Sequence, residues 1–156
     1  MSQQPSEHRF NSAAEFREVL DRALAVVAEE PEAGGLRRSL DVRQCYRCPD
    51  LDVVVQVRPA EGGAFEWVFS EDEDWDAQVE LTMDSDVANR YFQGAESAIV
   101  AIARGRIKVS SRDYAAALRA FPANSGLIAR YTDLVRRDYP HLVVGEVGAA
   151  RAVPAA

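Results

Sequence analysis

Cysteine, histidine and lysine are scarce in this chain of 156 residues, at two, two and one of each. Cys45 and Cys48 have the spacing of a redox pair or half a zinc site, but His8 and His141 lie near opposite ends and no further cysteine exists to complete a tetrahedral set. No run approaches the roughly 20 apolar residues that a bilayer-spanning helix requires. Met1 to Phe10 is polar rather than a charged start followed by an apolar stretch. The expectation is a soluble, cytoplasmic protein with no integral membrane association. Also missing are a Gly-x-Ser-x-Gly elbow, a Gly-rich phosphate loop, a His-Glu-x-x-His helix and a His near a candidate Ser or Cys nucleophile. The reading is therefore non-catalytic, with no catalytic residue, no metal and no cofactor. A formal charge of -7 excludes a general nucleic-acid binder, which needs clustered Lys and Arg on one face.

What is present is apolar material, 47% of residues against 28% charged, enough for one globular core. Residues 1–11 read as a disordered N-terminus, 12–144 as one globular domain, and 145–156 as a disordered Gly/Ala/Pro tail. A lone lysine, Lys108, in an Ala-rich chain points to a GC-rich bacterial genome.

Periodicity places the elements. Ser12 and Glu15 form a capping-box pattern ahead of a stripe of Phe16, Val19, Leu20, Ala23 and Val27, which predicts a helix ending before Pro31. Strand alternation follows. Leu51, Val53, Val55 and Val57 oppose Asp52, Gln56 and Arg58, with Val54 the exception. Phe65, Trp67 and Phe69 oppose Glu66 and Val68; Val79, Leu81 and Met83 oppose Gln78, Glu80 and Thr82; Ile107 and Val109 oppose Arg106 and Lys108. A further strand is expected around Leu40 to Tyr46. Asp84 or Ser85 can open a helix with Val87, Tyr91 and Phe92 that stops at Gly94. Ala98, Ile99 and Ile102 mark another, stopping at Gly105. Ser110 or Ser111 opens one with Tyr114, Leu118 and Phe121, and Asn124 or Ser125 one with Leu127, Ile128, Tyr131, Leu134 and Val135. The fold class is α+β: an antiparallel sheet of about five strands, apolar on one face and covered there by about five helices.

The stretch from Val79 to Phe121 carries an ordered set: Leu81-Thr82-Met83 ending a strand, Asp84 and Asp86 at a helix start, Gly94, Ala98 with Ile102, then Gly105-Arg106-Ile107-Lys108-Val109. This set resembles the sterol carrier protein type 2 family, whose members hold lipids in an apolar tunnel. In element order the resemblance runs from Phe16 to Tyr139. The chain departs from the family pattern at Ser111-Arg112-Asp113, where Gly-Asp is usual, and at Tyr114, which implies a narrower or differently polar tunnel.

The resemblance implies a non-catalytic binder and transporter of an apolar ligand, namely a fatty acyl, isoprenoid or steroid-like lipid, handed on to an acceptor enzyme. The implied ligand-binding residues are Val55, Phe65, Trp67, Phe69, Leu81 and Met83 from the sheet. The helices would add Tyr91, Phe92, Ile99, Ile102, Tyr114, Leu118, Ile128 and Tyr131. The same residues at these periods also build an ordinary core, and only the resemblance favours a tunnel. Two other readings stay open: a cavity enzyme such as a cyclase, and an accessory domain docking a protein partner. Glu80 with Asp84 is a carboxylate pair without further support. Glu71-Asp72-Glu73-Asp74-Trp75-Asp76 lacks the Gly and terminal Glu of a calcium loop and reads as a solvated hairpin loop, with Trp75 folding over the apolar face. Arg104, Arg106 and Lys108 either attract a phosphate-bearing head group or form a wet outer face.

Overall fold

A computed structural model describes residues 9–29, 42–61, 65–111 and 125–144, with the backbone alone described at residues 125 and 126. The order is helix α1 (Ala13–Ala28), strands β1 (Gln44–Cys48), β2 (Val53–Pro59), β3 (Phe65–Val68) and β4 (Val79–Met83), helices α2 (Ser85–Phe92) and α3 (Ala98–Ala103), strand β5 (Ile107–Ser111) and helix α4 (Ser125–Asp138). A short 3-10 turn, Pro140–Leu142, follows. The strand expected at Leu40 to Tyr46 is β1, displaced toward the C-terminus. The helix expected from Ser110 or Ser111 to Phe121 falls outside the described residues, which contain four α-helices rather than five.

The five strands form one sheet in the order β3-β2-β1-β4-β5. Three pairs are antiparallel, but the central pair, β1 with β4, is parallel. The all-antiparallel expectation is thereby corrected, and so is the hairpin between β3 and β4. Parallel neighbours cannot be joined by a tight turn. The chain from β3 instead crosses the sheet, past β2 and β1, through residues 69–78. Alternation along the strands cannot reveal this, because it sets which face a side chain takes and not which strand is its neighbour.

Register and alternation put Tyr46, Cys48, Val53, Val55, Val57, Val79, Leu81, Met83 and Ile107 on one face, where all are buried. The helices close this face. In α1 the expected stripe of Phe16, Val19, Leu20, Ala23 and Val27 is buried, together with Leu24. Ser12 caps it by accepting the Glu15 N–H at 3.1 Å. Glu15 does not complete the box on Ser12: its carboxylate takes the Asn11 N–H at 3.0 Å and meets His141 Nε2 at 2.9 Å. Phe10, read from sequence as lying before the ordered domain, is buried edge-on to Phe16 at 4.9 Å. At the start of α2 the cap comes from afar: Asp50, in the β1–β2 turn, accepts the Ser85 N–H at 2.9 Å and its hydroxyl at 2.6 Å. Gly94, at φ +73°, ends α2 in the left-handed conformation that favours glycine, and a Cβ there would meet Ile128 Cγ2 at 3.3 Å.

Candidate functional site

The apolar interface between sheet and helices contains most of the residues singled out from sequence, and it is not uniform. At its centre Val55, Leu81, Met83, Tyr91, Phe92 and Tyr131 are each buried. Phe92 is the hub, with ring centroids 5.3 Å from Tyr131, 5.4 Å from Tyr91 and 6.1 Å from Tyr46. These rings pack on one another in tilted arrangements that contribute beyond area alone.

A polar group that sequence reasoning missed sits beside them. Tyr131 donates to Asn89 Oδ1 at 2.8 Å, and Gln93 Nε2 donates to the same oxygen at 2.8 Å. Asn89 Nδ2 and Gln93 Nε2 both donate to the Leu142 carbonyl, at 2.8 and 2.7 Å, while Gln93 Oε1 accepts the Val144 N–H at 3.1 Å. Asn89 has no exposed surface. The Tyr131 hydroxyl is therefore committed to the protein, and burial pushes its pKa well above the usual tyrosine value. The signal was present as Asn89 and Gln93 at i, i+4 on the side of α2 that holds Phe92, but polar residues on a short helix ordinarily read as solvent-facing.

The margins are looser. Phe65, Trp67 and Phe69 are half-buried on the edge strand side, with Phe65 and Trp67 rings 5.5 Å apart and Trp67 Nε1 donating to Asp21 of α1 at 2.8 Å. At the other edge Ile102 and Val109 are half-buried against the core, while Ile128 of α4 is half-buried beside Gly94, at the end of α2. One turn beyond Ile128, Thr132 has a buried hydroxyl with no hydrogen-bond partner among the described residues, an uncommon condition for a buried polar atom. Ile99 is different, 78% exposed. Tyr114 and Leu118 lie outside the described residues.

Two polar clefts lie elsewhere. One, of about 450 Å³, opens on the outer face of the sheet beneath the crossover and is lined by Cys45, Arg47, Gln56, Asp74, Asp76, Ala77, Gln78, Glu80 and Ser110. Gln56 anchors the crossover there: its Nε2 donates to the carbonyls of Ser70 (2.8 Å) and Glu73 (2.5 Å), and its Oε1 accepts the Trp75 N–H at 3.3 Å. Trp75 lies 3.9 Å from the Arg58 guanidinium, on this outer face. Its expected position over the apolar face is corrected by the crossover, which carries it to the other side. Glu80 is engaged by Arg47, which also reaches Glu71 at 2.5 Å, so the Glu80–Asp84 pair has one member already neutralised.

The second cleft, about 430 Å³, is at the end of the sheet, between Pro49, Thr82, Met83, Asp84, Asp86, Val87, Arg90, Gly105, Arg106 and Lys108. Arg106 and Arg90 share the carboxylate of Glu96, and Arg90 meets Asp86 at 3.3 Å. Of the expected basic group, Arg104 and Lys108 remain exposed without an ion-pair partner among the described residues.

Cys45 and Cys48 are free and buried on opposite faces of β1. Burial pushes the Cys45 thiol up to about 11 and the Cys48 thiol up to about 12, the opposite of what a reactive thiolate needs. Among the described residues no group of three or more His, Cys, Asp or Glu is placed to hold a metal ion.

A mixed five-stranded sheet with one face roofed by helices defines an α+β scaffold. No protein-family profile matches the sequence, and no curated protein matches it. Solved structures do match. A conserved hypothetical protein of Thermus thermophilus, described as a suggested sterol carrier protein, is 17% identical, with 86% of this chain and 95% of that one aligned and a TM-score of 0.51. The apo form of sterol carrier protein 2 from Yarrowia lipolytica is 13% identical, over 80% of this chain and 96% of that one, at a TM-score of 0.50. The sec-alkylsulfatase Pisa1 from Pseudomonas sp. aligns at 13% identity over 64% of this chain, with a TM-score of 0.51; the chain spans 15% of the sulfatase. The chain has the sterol carrier protein 2-like fold. Among the described residues no helix is long and apolar enough to cross a membrane.

Proposed function

We propose that the protein binds a fatty acyl, isoprenoid or steroid-like molecule between the sheet and its helical layer and carries it to an acceptor enzyme. The observation that supports this most is the unevenness of the apolar interface: a closed aromatic centre, with half-buried Ile102 and Val109 at the β5 edge and, on α4, half-buried Ile128 one turn before Thr132, whose hydroxyl has no partner among the described residues. A guest entering at the β5 edge and reaching α4 meets aliphatic walls and one hydroxyl able to bond an oxygen on the ligand. The ring cluster of Tyr91, Phe92 and Tyr131 forms the floor of such a site, while Val55, Leu81 and Met83 belong to the core beneath. Likeness to proteins named sterol carriers over most of their length is consistent with this use of the scaffold.

The energetics suit a carrier. Burial gains about 0.8 kcal/mol per methylene, so a sixteen-carbon chain gains roughly 13 kcal/mol gross. Association costs on the order of 4 to 15 kcal/mol, which leaves affinity that permits release. The test is native mass spectrometry of the purified protein, followed by extraction of what is bound and titration with long-chain fatty acyl ligands. A co-purified apolar species returned unchanged is expected, with quenching of Trp67, on the far edge strand β3, by a chain long enough to reach it from the β5 margin. A protein that is empty and ignores every such ligand rules the reading out, and consumption of the ligand identifies an enzyme instead.

A further inference from the structure

Helix α3, Ala-Ile-Val-Ala-Ile-Ala, is six residues long and turns most of its apolar surface outward. Ala101 is its one fully buried residue, while Ile99 is 78% exposed and Val100 43%. Ala103, four residues after Ile99, is exposed on the same side. Exposed large aliphatic residues are otherwise limited, among the described residues, to Val26. The chain then passes through Gly105, where a Cβ would have nothing within 4 Å, so the turn projects into open space. Arg104 and Lys108 flank that turn, both exposed and without an ion-pair partner among the described residues. The nearby acids are largely satisfied: Glu96 by Arg90 and Arg106, Asp86 by Arg90, Asp50 by Ser85. Asp84, across the neighbouring cleft, is the exposed exception.

We propose that the α3–β5 tip is where the protein seats on an anionic phospholipid surface, with Ile99 and Val100 entering the head-group boundary and Arg104 and Lys108 meeting lipid phosphates. A projecting aliphatic pair beside unpaired cations has the composition of an interfacial anchor. The net charge of -7 does not forbid it. Asp74 and Asp76 of the crossover adjoin the Val79 end of β4, and the tip adjoins the Met83 end. Those ends are about 13 Å apart at the rise of a strand, beyond the Debye length of roughly 8 Å at physiological salt. A second copy of this chain is a poorer occupant, since two tips meeting would crowd two sets of Arg104 and Lys108 around a very small apolar contact. This inference is separate from ligand carriage: binding vesicles without any apolar ligand would keep one and lose the other.

The test is co-sedimentation of the full chain with vesicles of phosphatidylcholine alone and of phosphatidylcholine with phosphatidylglycerol in a two-to-one mixture. Wild type should pellet with the mixed vesicles and stay in solution with the neutral ones. Each basic residue at an anionic surface is worth about fivefold, so Arg104→Ala with Lys108→Ala should weaken binding roughly 25-fold, and high salt should do the same to wild type. Ile99→Asp with Val100→Asp should lose it altogether while melting like wild type. Wild type remaining in the supernatant with both vesicles, or the aspartate variant pelleting as wild type does, overturns the proposal. So does a concentration-dependent dimer, formed without vesicles, that the aspartate variant dissociates.

Discussion

The two faces of the sheet are both covered, by different physics. On the helical face, burial is aliphatic and aromatic, and its few polar atoms are gathered into the Asn89, Gln93 and Tyr131 cluster. On the outer face, the cover is the crossover from β3 to β4, held by polar contacts: Gln56 makes three hydrogen bonds to its backbone, Arg43 Nε donates to the Asp76 carbonyl at 2.8 Å, and Arg47 meets Glu71 at 2.5 Å. Apolar cover is tied to global folding, whereas a loop hung on a few hydrogen bonds can open locally. Burial of Cys45 or Gln56 in this protein therefore does not imply membership of the core.

Breaking the helical face should cost most. Asn89→Ala removes the acceptor of Tyr131 and Gln93 and one donor to the Leu142 carbonyl, leaving buried groups without partners. Each orphaned group costs about 1 to 3 kcal/mol, so a total of roughly 4 kcal/mol is expected. Urea unfolding should show the whole loss in the midpoint with the slope unchanged. A loss under about 1 kcal/mol would mean the cluster is ornamental and the two faces are not distinguished by it.

The next effect uses the two thiols, one on each face. The unfolded thiols titrate near 9.0, while burial raises the folded values to about 11 for Cys45 and about 12 for Cys48. Above pH 9 the unfolded chain has released protons that the folded chain keeps. The stability both thiols contribute is thus intact below that pH and drains as pH rises, by about 1.4 kcal/mol per unit and per thiol. Between pH 8 and pH 10 wild type should lose roughly 3 kcal/mol, and the Cys45→Ala, Cys48→Ala double variant should lose distinctly less. Parallel losses in both would show that the thiols are open to solvent in the folded state.

These two sites also mark where the sequence could and could not be read. The α1 stripe, the inward Val53, Val55, Val57, Val79, Leu81 and Met83, and the stops at Gly94 and Gly105 were legible because each is a local rule of period, capping or positive φ. The parallel β1–β4 pair was not, since strand order is a long-range choice that alternation leaves open. That single miss moved Trp75 to the wrong face. At the candidate site, apolar identity was legible but closeness of packing was not: periodicity alone cannot tell Phe92, clasped by three rings, from Ile102, half-buried at the edge. Asn89 and Thr132 were missed for the same reason, because burial of a polar side chain is decided by neighbours distant in sequence.

On the outer face, Gln56→Ala should cost about 2 kcal/mol and act locally. Limited proteolysis should cut residues 69–78 faster than in wild type, at a urea concentration well below the unfolding midpoint. If cleavage there tracks global unfolding, the crossover is part of the core and the contrast between faces is lost.

The mildest substitution separates the faces most directly, because the two tryptophans report one face each. Trp75 stacks on Arg58 at 3.9 Å, a cation–π contact between two half-buried side chains at the surface, so Trp75→Ala should lower stability by only about 1 kcal/mol. The variant's remaining emission then comes from Trp67, whose indole N–H is held by Asp21 beside the helical layer. A sixteen-carbon guest that runs from the β5 margin along the helical face, across strands about 4.8 Å apart, reaches the β3 edge and should quench it. In the reciprocal Trp67→Phe variant, Trp75 watches only the outer face and should not respond. Quenching of Trp75 with Trp67 silent would put the guest under the crossover, in the polar cleft, and remove the apolar interface from the proposal.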